Sequence, residues 1–237
     1  MKLGRIFARA SLVIAVFLVL VGPALADYTT LTLPTVNADI RTWTSGSNYN
    51  SLFPSNQTWN GVPFSLALNG GYDVFYPVAG QPSTLQIPVN VFGVTNAYTI
   101  INSSWGAYGV TIGKIEFFGS DGAYYSMNLV EGTNVRDHYT GGYNNVIDNI
   151  NAISAFTGAT GAILDMQLYS LPATFSDEYL NYILFTSNVL GQSSGGNPFI
   201  AAATVSAESQ NQVPEPTTML LLGLGLVGLA GVRRFRK

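Results

Sequence analysis

From about residue 27 to residue 205, apolar residues recur at every second position, in short runs broken by Gly, Pro, Asn and Ser. A period of two marks a strand with one buried face, whereas a helix repeats every 3.6 residues. Leu85, Ile87, Val89 and Val91 alternate with Thr84, Gln86, Pro88 and Asn90. Pro88 has no amide proton, which predicts an edge strand or a bulge. Further strands are expected at Tyr98 to Ile101, Ile115 to Phe118, Ala123 to Val130, Tyr182 to Thr186 and Phe199 to Val205. Another fits Ile163 to Tyr169, with Leu164, Met166 and Leu168 on one face. Asp121-Gly122 between apolar runs predicts a hairpin with a type I′ turn. Val146, Ile150 and Ile153 have helical spacing, but the asparagines around them oppose a helix. Around nine strands and no long amphipathic helix predict an all-β fold, a single antiparallel β-sandwich or jelly roll over 27–205. No fixed-period repeat is present, so solenoids and propellers are not expected.

The ends of the chain read differently. Residues 1–26 combine Lys2, Arg5 and Arg9, an apolar run from Leu12 to Val21, and Ala24-Leu25-Ala26 before Asp27. That order is a secretory signal, with Ala24 and Ala26 forming the signal-peptidase site and cleavage after Ala26. Residues 206–212 (SAESQNQ) turn polar and predict a flexible linker. At 213–237 stand Val213-Pro214-Glu215-Pro216, an uncharged run from Met219 to Val232 and the basic end RRFRK. Fourteen residues at ~1.5 Å each reach ~21 Å, short of the ~30 Å hydrocarbon core. Glycines at 223, 225, 228 and 231 weaken a helix there. The run is a poor permanent anchor, and its basic end should remain cytoplasmic.

VPEP, the glycine-punctuated apolar run and the terminal arginines resemble the bacterial PEP-CTERM sorting signal. The resemblance implies recognition of Pro214, Glu215 and Pro216 by an exosortase-type transpeptidase. It also implies transient anchoring in the inner membrane of a Gram-negative bacterium, then a cell-surface or extracellular destination. The runs IPVNVFGVTNAYTIINSSWGAYG and IEFFGSDGAYYSMNLVEGTNVRD resemble β-sandwich domains that precede this tail, of galactose-binding-like or jelly-roll appearance. A sandwich does not by itself fix a ligand.

Composition narrows the function classes. Three of the ten basic residues lie in the leader and four in the tail, leaving Arg41, Lys114 and Arg136 against twelve acids. A net charge near −9 for the secreted part opposes nucleic acid and anionic membrane as partners. Cysteine is absent, so disulfides and thiolate metal sites are excluded. No cofactor is expected; calcium is compatible with the acidity, but no EF-hand run is present.

His138 is the sole histidine, which leaves little material for a catalytic triad or a multi-histidine metal site. Arg136, Asp137 and His138 can be read as part of a ligand site, or as a loop in which Arg136 pairs with a carboxylate and fixes the backbone. Asp121 has a turn role or, alternatively, a ligand role. Asp177 and Glu178 are adjacent, so on an extended segment they face opposite ways and make a poor glycosidase pair. Trp43, Trp59 and Trp105, with Tyr49, Tyr108 and Tyr143, lie in polar, glycine-rich surroundings. Such rings either stack on sugar faces or seal the end of a core. Thr29, Thr30 and Thr32 do not recur at a period, unlike an ice-binding array. The expected function is a non-enzymatic exported matrix protein associated with extracellular polysaccharide, with Trp105 and the Asp121, Arg136, Asp137 and His138 group as candidate ligand residues. A secreted lectin-like module is the alternative, and a glycoside hydrolase a third reading.

Overall fold

The computed structural model describes residues 26–43, 48–77, 79, 82–141, 143–190 and 195–208. Ala24, the residues after Glu208, the Pro214-Glu215-Pro216 motif and the apolar run lie outside the described residues.

Among the described residues eleven strands form: β1 (Ala26–Leu31), β2 (Ser55–Trp59), β3 (Val62–Leu66), β4 (Thr84–Phe92), β5 (Val94–Ser104), β6 (Thr111–Gly119), β7 (Tyr124–Val130), β8 (Ala152–Thr157), β9 (Ile163–Ser170), β10 (Tyr179–Ser187) and β11 (Asn197–Glu208). They build a five-stranded sheet ordered β1-β11-β5-β9-β8 and a four-stranded sheet ordered β4-β10-β6-β7. Every pairing within them is antiparallel. The fold is an all-β antiparallel sandwich. Its main core lies between the sheets, where Leu85 and Ile87 meet Ile115, Phe117, Ile183, Phe185, Ile101 and Val205. Each belongs to the inward set of its strand, so alternation in the chain becomes one continuous apolar layer.

The five-stranded sheet is buried on its second face as well. A segment from Leu33 to Tyr76, including the β2–β3 hairpin, covers it with Ile40, Tyr49, Phe53, Phe64 and Val74 against Ile100, Leu164, Met166 and Phe199. Burial on both sides makes Phe199 to Ala203 of β11 a continuous apolar run, as in parallel-sheet strands, while β5 also buries Thr99, Asn102, Ser103 and Ser104. The covering segment is tied down by Asp73, whose Oδ1 accepts the Ile40 amide at 2.9 Å. Arg41 Nε bridges Asp39 at 2.7 Å and Asp73 at 3.3 Å.

Pro88 stands in an edge strand, as its missing donor requires, and faces Tyr182 beside a bulge between Leu180 and Tyr182. The bulge shifts the phase of β10, moving Tyr182 outward to stack on Phe118 with ring centroids 4.6 Å apart. The β6–β7 hairpin closes around Asp121-Gly122, but of the two only Gly122 has positive φ (106°), so the turn is not type I′. Gly119 N donates to Ala123 O at 2.8 Å, giving a three-residue loop. The type I′ pattern occurs instead at Asn60-Gly61 (φ 51° and 82°), which joins β2 to β3.

One further boundary differs from sequence expectation. Ser206, Ala207 and Glu208, expected in the polar linker, extend β11 and pair with Tyr28, Asp27 and Ala26. Cross-strand partners supply what these polar residues lack in local propensity. Val146 and Ile150 are exposed in an irregular segment, and Ile153 begins a strand phase within β8.

Candidate functional site

Trp105 follows β5 directly, at the end of the sandwich where Ser104 pairs with Asn197 of β11. Loops 105–110, 131–146 and 195–196 meet there. Ala107 N donates to Gly195 O at 3.3 Å, Gly109 N to Glu131 O at 2.8 Å and Asn144 N to Gly106 O at 3.0 Å. These bonds bring Trp105, Tyr108 and Tyr143 onto one rim, exposed by 38%, 75% and 40% respectively. Rings of this size are usually turned inward; three on one fixed rim form a surface suited to contact.

Trp105 has φ 64°, a left-handed conformation that costs a non-glycine residue about 1–2 kcal/mol. The Asp137 carboxylate compensates. Its Oδ2 accepts the Trp105 amide at 2.6 Å and its Oδ1 the Tyr139 amide at 2.8 Å, while the Gly106 amide also points at it. Burial pushes the Asp137 carboxyl up to about 6, and the three amides oppose that rise. Glu131 lies beneath the same loop, where a Cβ on Gly106 would collide with its carboxylate. Burial pushes Glu131 up to about 7; Ser103 and Asn144 oppose the shift and nearby Asp137 adds to it. Asn144 Nδ2 donates to Glu131 Oε2 at 3.0 Å, whereas Oε1 and the facing Ser103 Oγ are buried without a hydrogen bond of ordinary geometry.

Arg136 and Asp165 clamp this end to the sheet. Arg136 Nε donates to Asp165 Oδ2 at 2.8 Å and Nη2 to Oδ1 at 2.7 Å. Asn102 adds a donor at 2.8 Å to Oδ2 and accepts the Asp165 amide at 2.8 Å. Asp165 is fully buried, and desolvation raises its carboxyl against the lowering effect of Arg136. Gln167 completes the network through Ile101 and Asn134. His138 packs among Trp43, Tyr49 and Phe199. Burial pushes its imidazole down to about 4, so it is neutral at ordinary pH.

The structure thus gathers Trp105, Arg136, Asp137 and His138 at one end. Of the four, Trp105 offers the most surface; Asp137 and His138 are buried and Arg136 is turned to Asp165. Asp121 is at the other end. Its amide donates to Glu178 Oε2, Ala123 N donates to Oε1 at 2.9 Å, and Gly93 N reaches Glu178 O at 3.1 Å where β5 begins. Glu178 therefore serves the hairpin turn, while Asp177 lies in a short 3₁₀ turn. Trp43 and Tyr49 seal the second core, and Trp59 packs on Phe64. Among the described residues no group of three or more His, Asp or Glu side chains is arranged to hold a metal ion. Glu131 and Asp165 were not singled out by the sequence, which gives no local sign that a lone acid is buried.

Residues 212–237 match the family described as the PEP-CTERM protein-sorting motif. The chain carries an exosortase sorting tail. It is accordingly an exported protein, recognised by an exosortase and anchored transiently in the membrane during processing. The PEP-CTERM match leaves the sandwich outside it, and no curated protein matches the chain.

Proposed function

We propose that this PEP-CTERM protein is a non-enzymatic component of the cell surface or extracellular matrix that associates with polysaccharide through the rim of Trp105, Tyr108 and Tyr143. The observation that carries the reading is the exposure of these three rings on two adjoining loops, the first held by the buried Asp137 carboxylate. Aromatic faces suit the C–H faces of sugars. The net charge near −9 favours a neutral polymer over an anionic one. Glu131 and Asp137 carry the raised pKa values that often mark catalytic carboxyls, but both are closed off beneath the loop. A glycosidase needs two carboxyls open to a sugar bond, so burial argues for binding rather than hydrolysis.

The test is retention of the mature protein, purified from its producing cells, on a panel of insoluble polysaccharides that includes the matrix polymer of those cells. Trp105→Ala should weaken retention by about tenfold or more, the effect of truncating a central aromatic anchor. Absence of retention on every polymer, or retention untouched by the substitution, refutes the reading. Release of new reducing ends refutes its non-enzymatic part. Saturable binding of one soluble oligosaccharide, without affinity for the polymers, identifies the lectin-like alternative instead.

A further inference from the structure

We propose that Asp137 is the positioning residue of the rim, fixing the Trp105 indole where a sugar face can meet it; this rests on the reading of Trp105 as the glycan contact. Three main-chain amides, from Trp105, Gly106 and Tyr139, converge on one carboxylate. Residue 105 keeps a left-handed backbone that a tryptophan does not adopt unless its surroundings impose it. No other side chain reaches the Trp105 amide among the described hydrogen bonds. Gly106 sits close over Glu131, because a Cβ at that position would collide with the Glu131 carboxylate. The loop is held from below at two successive residues, and the indole is the part left outside.

An arrangement of three N–H donors around a carboxylate depends on the charge of that carboxylate. Once protonated, one oxygen becomes a donor and faces an amide that is also a donor. Since burial places the Asp137 titration near 6, the loop should change its hold on Trp105 across that region. The other titratable groups near Asp137 are Glu131, His138, Tyr49 and Tyr76. His138 stays neutral above about 4, and burial keeps both tyrosines protonated, so Glu131 is the one neighbour whose charge changes in the same range. Arg136 next in the chain is committed to Asp165.

The protein has three tryptophans, so 5-fluorotryptophan labelling of the mature chain gives three fluorine resonances, with Trp105 assigned by Trp105→Phe. The Trp105 resonance should shift with a midpoint near 6, and polysaccharide retention should fall as the pH is lowered through the same interval. Asp137→Asn should abolish the shift and hold the protein in its weakly binding form at neutral pH, while Glu131→Gln should leave the shift in place. A Trp105 resonance that does not move, or one that still titrates in Asp137→Asn, overturns the assignment. Loss of the shift in Glu131→Gln assigns the control to Glu131 and overturns it too; this arm decides the matter even if Asp137→Asn does not fold. Retention unaffected by Trp105→Ala removes the glycan reading, yet the fluorine titration still reports whether Asp137 holds the indole.

Discussion

Replacing Arg136 by leucine should be among the costliest single changes in the sandwich, although the residue is in a loop. Asp165 is fully buried, and Arg136 satisfies both its oxygens, at 2.7 and 2.8 Å. Without the guanidinium, Asn102 alone remains as a side-chain donor to that carboxylate, at 2.8 Å. Removing one partner of a buried pair costs about 3–5 kcal/mol, because the other charge stays desolvated. For a domain of this size each kcal/mol lowers the melting temperature by about 2–4 °C, so a fall of roughly 6–20 °C is expected. Urea unfolding at pH 7, followed by tryptophan emission and far-ultraviolet dichroism, measures the loss directly. The deficit should shrink as the pH falls toward 4. Burial already raises the pKa of Asp165, and losing Arg136 raises it further. The folded variant then binds a proton more tightly than the unfolded chain, so acid stabilises it relative to neutral pH. Arg136→Leu combined with Asp165→Leu should recover most of the loss, since apolar replacement of a whole buried pair is often neutral or stabilising. A deficit below about 1 kcal/mol at pH 7, or one equal at pH 7 and 4.5, refutes the reasoning about an uncompensated charge.

Two other predictions concern carboxyls away from the rim. Asp73 is pushed up to about 7, chiefly by burial, so its ionisation should destabilise the fold as pH rises from about 4 to about 7. Asp73→Asn should remove that component, and the difference in melting temperature between variant and parent should move in the variant's favour with rising pH; a constant difference contradicts the account. Glu178→Ala should cost about 1–3 kcal/mol by leaving the Asp121 and Ala123 amides without their acceptor, with hydrogen exchange accelerated at those two positions. Exchange unchanged there counts against the hairpin role.

The alternation that marked β4, β6 and β10 was legible because one face of each meets the core between the sheets, and that of β9 because Leu164 and Met166 meet the covering layer. The covering layer was not legible in the same way. Its β2–β3 hairpin is short, and only Asn60-Gly61 announces it. β8 was obscured because Val146, Ile150 and Ile153 mimic a helical period across a loop and a strand. The site was legible as a neighbourhood: Trp105 and the Arg136-Asp137-His138 run come together as loops of one end. What each does there depends on partners far along the chain. Arg136 finds Asp165 twenty-nine residues away, and Asp137 finds the Trp105 amide thirty-two residues back. No window of local sequence contains both members of either pair, so pattern reading could not choose between ligand contact and loop fixing.

β11 links the two ends of the sandwich. It starts at Asn197 beside the rim and finishes at Glu208, from which the chain passes to the sorting motif. Its twelve residues, at ~3.3 Å each, separate those points by roughly 36 Å. A load applied between a polymer held at the rim and the chain beyond Glu208 therefore runs along the axis of this strand. β1 and β5 flank it on both sides, so the pull shears two hydrogen-bonded ladders together instead of unzipping one bond after another. The sandwich is braced along the line of tension that tethering a cell to its surroundings would impose.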